Sequence, residues 1–199
     1  MRFDCHMTTA AHTPPRVTET RPPIWIAGVV VAGALVALTV GVVARVFQSD
    51  SPGGYFDLWW NDPIHLKVWL ATFAAIGACI QLFLAAWIFR KLYWPRPAWV
   101  PVVHRWTGRL TFLCTLPVAY HCIFKLGFHG DRGDRVLWHS LFGSAFFGAY
   151  ISKVTIVKLH NFPRWVLPVA GGLVFSVLIG LWLTSSYWFF TNVDATWGG

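Results

Sequence analysis

AYHCIFKLGFHGDRGDRVLWHSLFG, residues 119–143, places two histidines, His121 and His139, at the facing ends of two apolar runs joined by a short polar loop. If both runs cross a bilayer, the two imidazoles lie at similar depth on neighbouring antiparallel helices. Ionisable side chains at that depth are costly, so a pair of them calls for a partner or a ligand.

The flanking sequence makes the bilayer reading the natural one. Of the 199 residues, 56% are hydrophobic and only 12% charged, where a soluble domain carries about 25% charged residues. The apolar residues fall in long runs, not amphipathic stripes, which is the mark of transmembrane helices. Such runs cover about 24–47, 64–89, 103–127, 136–158 and 165–190. They predict an all-α integral membrane protein, a five-helix transmembrane bundle.

Charge sets the orientation. With the N-terminus inside, the inner side holds Arg2, Arg16, Arg21, Arg90, Lys91, Arg96, Arg105, Arg109, Lys153, Lys158 and Arg164, eleven of the sixteen basic residues. The outer side holds Arg45, Lys67, Lys125, Arg132 and Arg135. This positive-inside bias puts the C-terminus and the His121–His139 loop outside. The net charge of +8 then reflects inner loops facing anionic lipid, and nucleic acid is excluded as a partner. Trp59, Trp60, Trp94, Trp99, Trp106, Trp138, Trp165 and Trp188 fall near span ends, where amphipathic rings favour the interface. Residues 1–23, polar and Pro-rich, read as a disordered cytoplasmic tail, and 191–199 as a short outer tail. The expected location is the plasma membrane of a bacterium.

Cys5, Cys79, Cys114 and Cys122 lie outside the outer loops and form no C-x-x-C pair, so neither a disulfide framework, a c-type haem attachment nor a zinc or iron–sulfur site is expected. The histidines carry more. His6 and His12 belong to the tail and His129 reads as an ordinary loop residue. Counting the helical rise from each span's midpoint puts His121 roughly 9 Å and His139 roughly 12 Å toward the outer face, within the hydrocarbon. His65, His104 and His160 fall at the interfaces. Depth makes His121 and His139 each other's natural neighbours.

The chemistry of the pair points to haem. Met1 and Met7 lie in the tail, which removes His/Met ligation, and the absence of Asp and Glu within the spans removes a carboxylate di-iron centre. Zinc asks for three or four convergent ligands. Two imidazoles among aromatic and glycine residues suit a six-coordinate haem b, with His121 and His139 as axial ligands. Gly127, Gly143 and Gly148 offer room for a macrocycle, and Arg132 and Arg135 stand where propionates need partners. A second haem between His104 and His160 is an open alternative, as is a role for His104, Arg105 and Arg109 at lipid headgroups or a quinone. The first and last spans read as scaffold. Acid-free spans speak against a proton pump.

HRWTGRLTFLCTLPVAYH, residues 104–121, and VLWHSLFG, residues 136–143, resemble the b-type cytochromes of the ferric-reductase-like and cytochrome b-561 classes. The chain is also similar to small actinobacterial membrane proteins with the same HRWxGR…LPVAYH…HSLFG pattern. The resemblance covers the middle half of the chain. It implies a membrane cytochrome that transfers single electrons through bis-His haem near the outer face. The donor or acceptor would be the quinol pool and an iron–sulfur or cytochrome partner within a larger redox complex. Two features depart from those classes: the 17-residue spacing and the lack of a flavin or nicotinamide segment. A haem-free accessory or anchor subunit of a respiratory membrane complex is the alternative, with the two histidines making interhelical hydrogen bonds.

Overall fold

The structure, a computed structural model, describes residues 21–49 and 62–193. Helix α1 spans Pro23–Val46, α2 Pro63–Ile88 and α4 Asp134–Leu159. Helix α3 runs over Val100–Tyr120 and continues through a π-helical turn, His121–Leu126. Helix α5, Val166–Trp182, continues through a second π-helical turn, Leu183–Tyr187, into Trp188–Asn192. The described residues contain no strand. Helices α1, α2, α4 and α5 are each long and apolar enough to cross a membrane. Helix α3 is of similar length but carries His104, Arg105 and Arg109. The chain is a multi-pass membrane protein. Most of the expected tails, with Trp59 and Trp60, lie outside the described residues.

The helix ends follow local chemistry. Proline opens α1 and α2, where its missing N–H is no loss. Asp62 caps α2, accepting from the backbone N–H groups of Ile64 at 3.1 Å and His65 at 3.3 Å. Helix α4 ends where His160 and Asn161 turn to positive φ. There Arg21 docks, its guanidinium donating to the Leu159 carbonyl at 2.9 Å and its backbone N–H to Asn161 at 2.7 Å. The tail is therefore anchored to the bundle at least from Arg21 onward.

Neighbours pack antiparallel. Helix α1 lies along α4, α4 on α5, α5 on α2, and α2 along α3; α3 reaches α1 through its π turn. Helices α3 and α4 form no such seam. At the α1–α4 crossing Gly33 and Gly148 meet backbone to backbone, leaving no room for a Cβ on Gly148. The Ser152 hydroxyl donates to the Val29 carbonyl beside them, at 3.2 Å. Small residues and hydroxyls of this kind hold helices together in lipid, where burial of apolar surface gives no net drive. Gly148 is thus a packing residue, not part of a macrocycle's space. A core of Ala74, Ala78, Phe146, Val177 and Leu178 fills the centre. Large apolar side chains such as Leu35, Leu38, Ile76 and Leu173 point outward, as a lipid-facing surface requires.

The bundle has two unlike ends. One, the basic end, carries the start of α1, α3 and α5 and the finish of α2 and α4, with Arg21, Arg90, Lys91, Arg96, Lys158 and Arg164. The other carries every described carboxylate, Asp62, Asp131 and Asp134, and is called the aspartate end.

Candidate functional site

Near the aspartate end a cavity opens between the helices. Its wall takes His139, Ser140 and Gly143 from α4, Thr115, Ala119 and Cys122 from α3, and Ser185 from α5. Both π turns reach it, through Cys122 and Ile123 on one side and Ser185 on the other. A π turn inserts one residue into a helix and re-aims the side chains around it, and such turns concentrate at functional sites. The first has a visible cause. Pro117 has no N–H to give the preceding turn and disturbs the helix just before His121.

His139 is held in one orientation. The Thr184 hydroxyl donates to the Gly180 carbonyl at 2.8 Å, so toward the ring it can only accept. With the hydroxyl proton on Gly180, the 3.1 Å contact between Thr184 Oγ1 and His139 Nδ1 takes its proton from the ring. The Nε2 lone pair is left facing Cys122 Sγ, 4.0 Å away. Arg135, one turn before His139, donates to the Thr184 carbonyl at 2.8 Å and lies over the Trp188 ring at 3.9 Å. The Lys67 ammonium is near enough for its charge to act on both Cys122 and His139.

His121 lies at the same level, fully buried, but its ring is not on the cavity wall. Its Nδ1 donates to the Pro117 carbonyl at 2.9 Å, which fixes the same tautomer as in His139, and its ring meets Tyr120 edge-on. The structure thus sets His139 opposite Cys122, the residue after His121. Gly127 and Gly143 line the cavity. Arg132 is exposed in the loop, away from the wall.

At the basic end, His104 is the fifth residue of α3, and its Nδ1 is buried without a hydrogen-bond partner among the described residues. Its backbone carbonyl accepts from Gln81 at 2.8 Å. His160 is exposed and its carbonyl accepts from Arg21. The structure records no contact between His104 and His160.

Several residues of the site escaped the sequence reading. The last span supplies Thr184, Ser185 and Trp182, so it is more than scaffold. Its LTSSY run, residues 183–187, was the available signal: four polar or amphipathic residues within an apolar span. Cys122 and Lys67 were passed over because sequence gives depth along a helix, not the direction a side chain faces. His129, read as an ordinary loop residue, is buried, with Nδ1 3.4 Å from the Asp131 carboxylate. The backbone N–H of Asp131 and the His129 ring hold that carboxyl below its ordinary range.

The described residues contain no group of three or more His, Cys, Asp or Glu that could hold a bare metal ion. A group bound here would have to bring most of its own ligands, as a porphyrin does. No curated protein and no solved structure matches the chain. The likeness to b-type cytochromes thus rests on the two motifs alone. The chain does belong to DUF6529, a family of unknown function, whose model matches residues 26–197.

Proposed function

We propose that the protein is a membrane b-type cytochrome. Five transmembrane helices, α3 included, cross the bilayer with the N-terminus inside and the aspartate end outside. A single haem b at the cavity passes electrons one at a time between the quinol pool and an outer redox partner. The observation that carries this reading is His139: a half-buried imidazole on the wall of a cavity flanked by two π turns, its Nδ1 held against Thr184 Oγ1 and its Nε2 facing Cys122 Sγ. Metal-ligating histidines are held in this way, the far ring nitrogen bonded to an oxygen so that the near one keeps its lone pair.

Haem would supply the one-electron couple. The residues that would hold it are His139 and, from the facing π turn, His121, whose Nδ1 is anchored to Pro117 in the same manner. His121 would have to turn onto the wall. Arg135 and Lys67 stand near enough to compensate propionate charge. The wall is mostly apolar, broken by Thr115, Ser140, Ser144 and Ser185.

The second reading is a haem-free accessory subunit of a larger respiratory complex. Two observations favour it. The His121 ring lies off the wall, and the cavity, about 100 Å³, takes a small ring, so a macrocycle needs the helices to part. The test is a reduced-minus-oxidised spectrum of protein purified from haem-replete cells. Haem b bands that disappear in both His121→Ala and His139→Ala, with expression intact, support the cytochrome. Haem-free protein sinks it in favour of the accessory subunit. Full haem in either variant sinks the ligand pair.

A further inference from the structure

At the basic end the charges are unbalanced, and the imbalance defines a second site. Lys153 sits on α4 five residues before Lys158, inside a membrane-spanning helix. No hydrogen bond or ion pair to its ammonium is formed by the described residues, and all described carboxylates lie at the other end of the bundle. Its charge acts on His104, across on α3, whose Nδ1 is itself buried and unpaired. Tyr150 lies one turn from Lys153 on the same face of α4. It stacks on Phe112 of α3 at 4.1 Å, and the Arg109 charge acts on its hydroxyl. Two cations, an unsatisfied imidazole and a phenol therefore gather where α3 and α4 meet through the Phe112 side chain. An ammonium inside a membrane-spanning helix, with no counter-charge among the described residues, is unfavourable, so the arrangement calls for an anion.

The structure also indicates where the anion comes from. Helix α1 follows α4, and α3 follows α2; α1 and α3 meet chiefly through the π turn at the aspartate end. Toward the basic end α2 is the one helix packed extensively along α3 among the described residues. Trp106 of α3, 58% exposed, lies under the Arg109 guanidinium at 4.9 Å. Amphipathic rings of this kind favour the membrane interface. We infer that the Lys153–His104–Tyr150–Arg109 cluster binds the phosphate of an anionic phospholipid from the leaflet at the basic end. The acyl chains would lie in the parting between α3 and α1. This inference rests on the membrane fold and is independent of haem.

The full chain, purified in neutral detergent and reconstituted in nanodiscs, tests it. Phosphatidylglycerol should raise Tm by about 3 °C or more over phosphatidylcholine, and native mass spectrometry should show it retained. In Lys153→Met the shift and the retention should both disappear. The variant should unfold no lower than wild type in phosphatidylcholine, because it removes an uncompensated charge. Lys153→Arg should keep the preference. An equal response to both lipids overturns the proposal, as does a phosphatidylglycerol effect that survives Lys153→Met. Inorganic phosphate alone reproducing the shift overturns the lipid assignment. A Lys153→Met protein that unfolds several degrees lower in phosphatidylcholine shows that the ammonium is paired within the protein, which also overturns it.

Discussion

Histidines beside the cavity are treated differently from those away from it: His129, in the aspartate-end loop, has both ring nitrogens buried without a hydrogen bond, as His104 has its Nδ1. At the aspartate end His139 and His121 each have Nδ1 tied to an oxygen, Thr184 Oγ1 and the Pro117 carbonyl. At the basic end the Nδ1 of His104 is buried with nothing to bond. Orienting a ring costs conformational entropy, and a fold supplies the restraining bond where the direction of the other nitrogen matters. The contrast teaches that anchoring follows the cavity: His139 and His121 beside it have Nδ1 bonded, and His104 and His129 do not.

The strongest attempt to break this contrast is to remove the rings one end at a time. In the cytochrome reading His139→Ala should lose essentially all haem b absorbance, and His104→Ala should keep it. Equal loss in both variants would mean that the ends are not chemically distinct. Next in size is the seam that both ends share. Gly148→Leu forces a side chain into the Gly33 backbone. Overpacking of this kind costs about 1–3 kcal/mol, and with backbone in the way the upper figure is expected. Unfolding followed by tryptophan fluorescence in micelles should show it. A neutral result would mean that the α1–α4 crossing is looser than described.

A smaller effect separates the two kinds of histidine directly. Thr184→Val keeps the shape of the side chain but removes one of the two groups that His139 bonds, Thr184 Oγ1 and the Leu181 backbone, at a cost of about 1 kcal/mol. In phosphatidylcholine, without an anionic lipid to bind, His104→Leu removes an atom that has no partner among the described residues, so stability should stay level or rise by about 1 kcal/mol. Thermal scans of the two variants side by side should move in opposite directions. If His104→Leu costs as much as Thr184→Val, the unpaired Nδ1 has a partner in the working protein.

Much of this was legible in the sequence, and the boundary is physical. The expected spans 24–47 and 64–89 lie within a residue of Pro23–Val46 and Pro63–Ile88, because bilayer thickness fixes the length of an apolar run. Depth was legible for the same reason: a constant rise puts His121 and His139 at one level. The direction each ring faces was not. It depends on how α3 rotates against α2 and α1, and the π turns after Pro117 and Trp182 break the 3.6-residue count on which such reasoning depends. That is why Cys122, and not His121, occupies the wall opposite His139, and why Thr184 was missed. The use of Gly148 for packing was likewise hidden, since a glycine's role is set by the helix that happens to cross it.

The mildest test concerns the aspartate end's own boundary. Asp62 holds the start of α2, and its geometry carries a pH signature. Partial burial pushes its carboxyl up. The Ile64 N–H, the His65 ring and the His65 N–H together outweigh this and hold it below its ordinary value of 3.8. The His65 ring nitrogen lies 2.7 Å from the carboxylate. A carboxyl depressed in the folded state contributes stability that is present above its unfolded value and is lost as pH falls through the folded one. Asp62→Ala should therefore cost about 1 kcal/mol near neutral pH, and the gap to wild type should close below about pH 4. Asp62→Asn, which keeps a capping oxygen but not the charge, should recover most of the loss and flatten the pH dependence. A gap that persists unchanged to low pH would show that Asp62 acts through shape alone, and that the pairing of polar groups at this end does not extend to its rim.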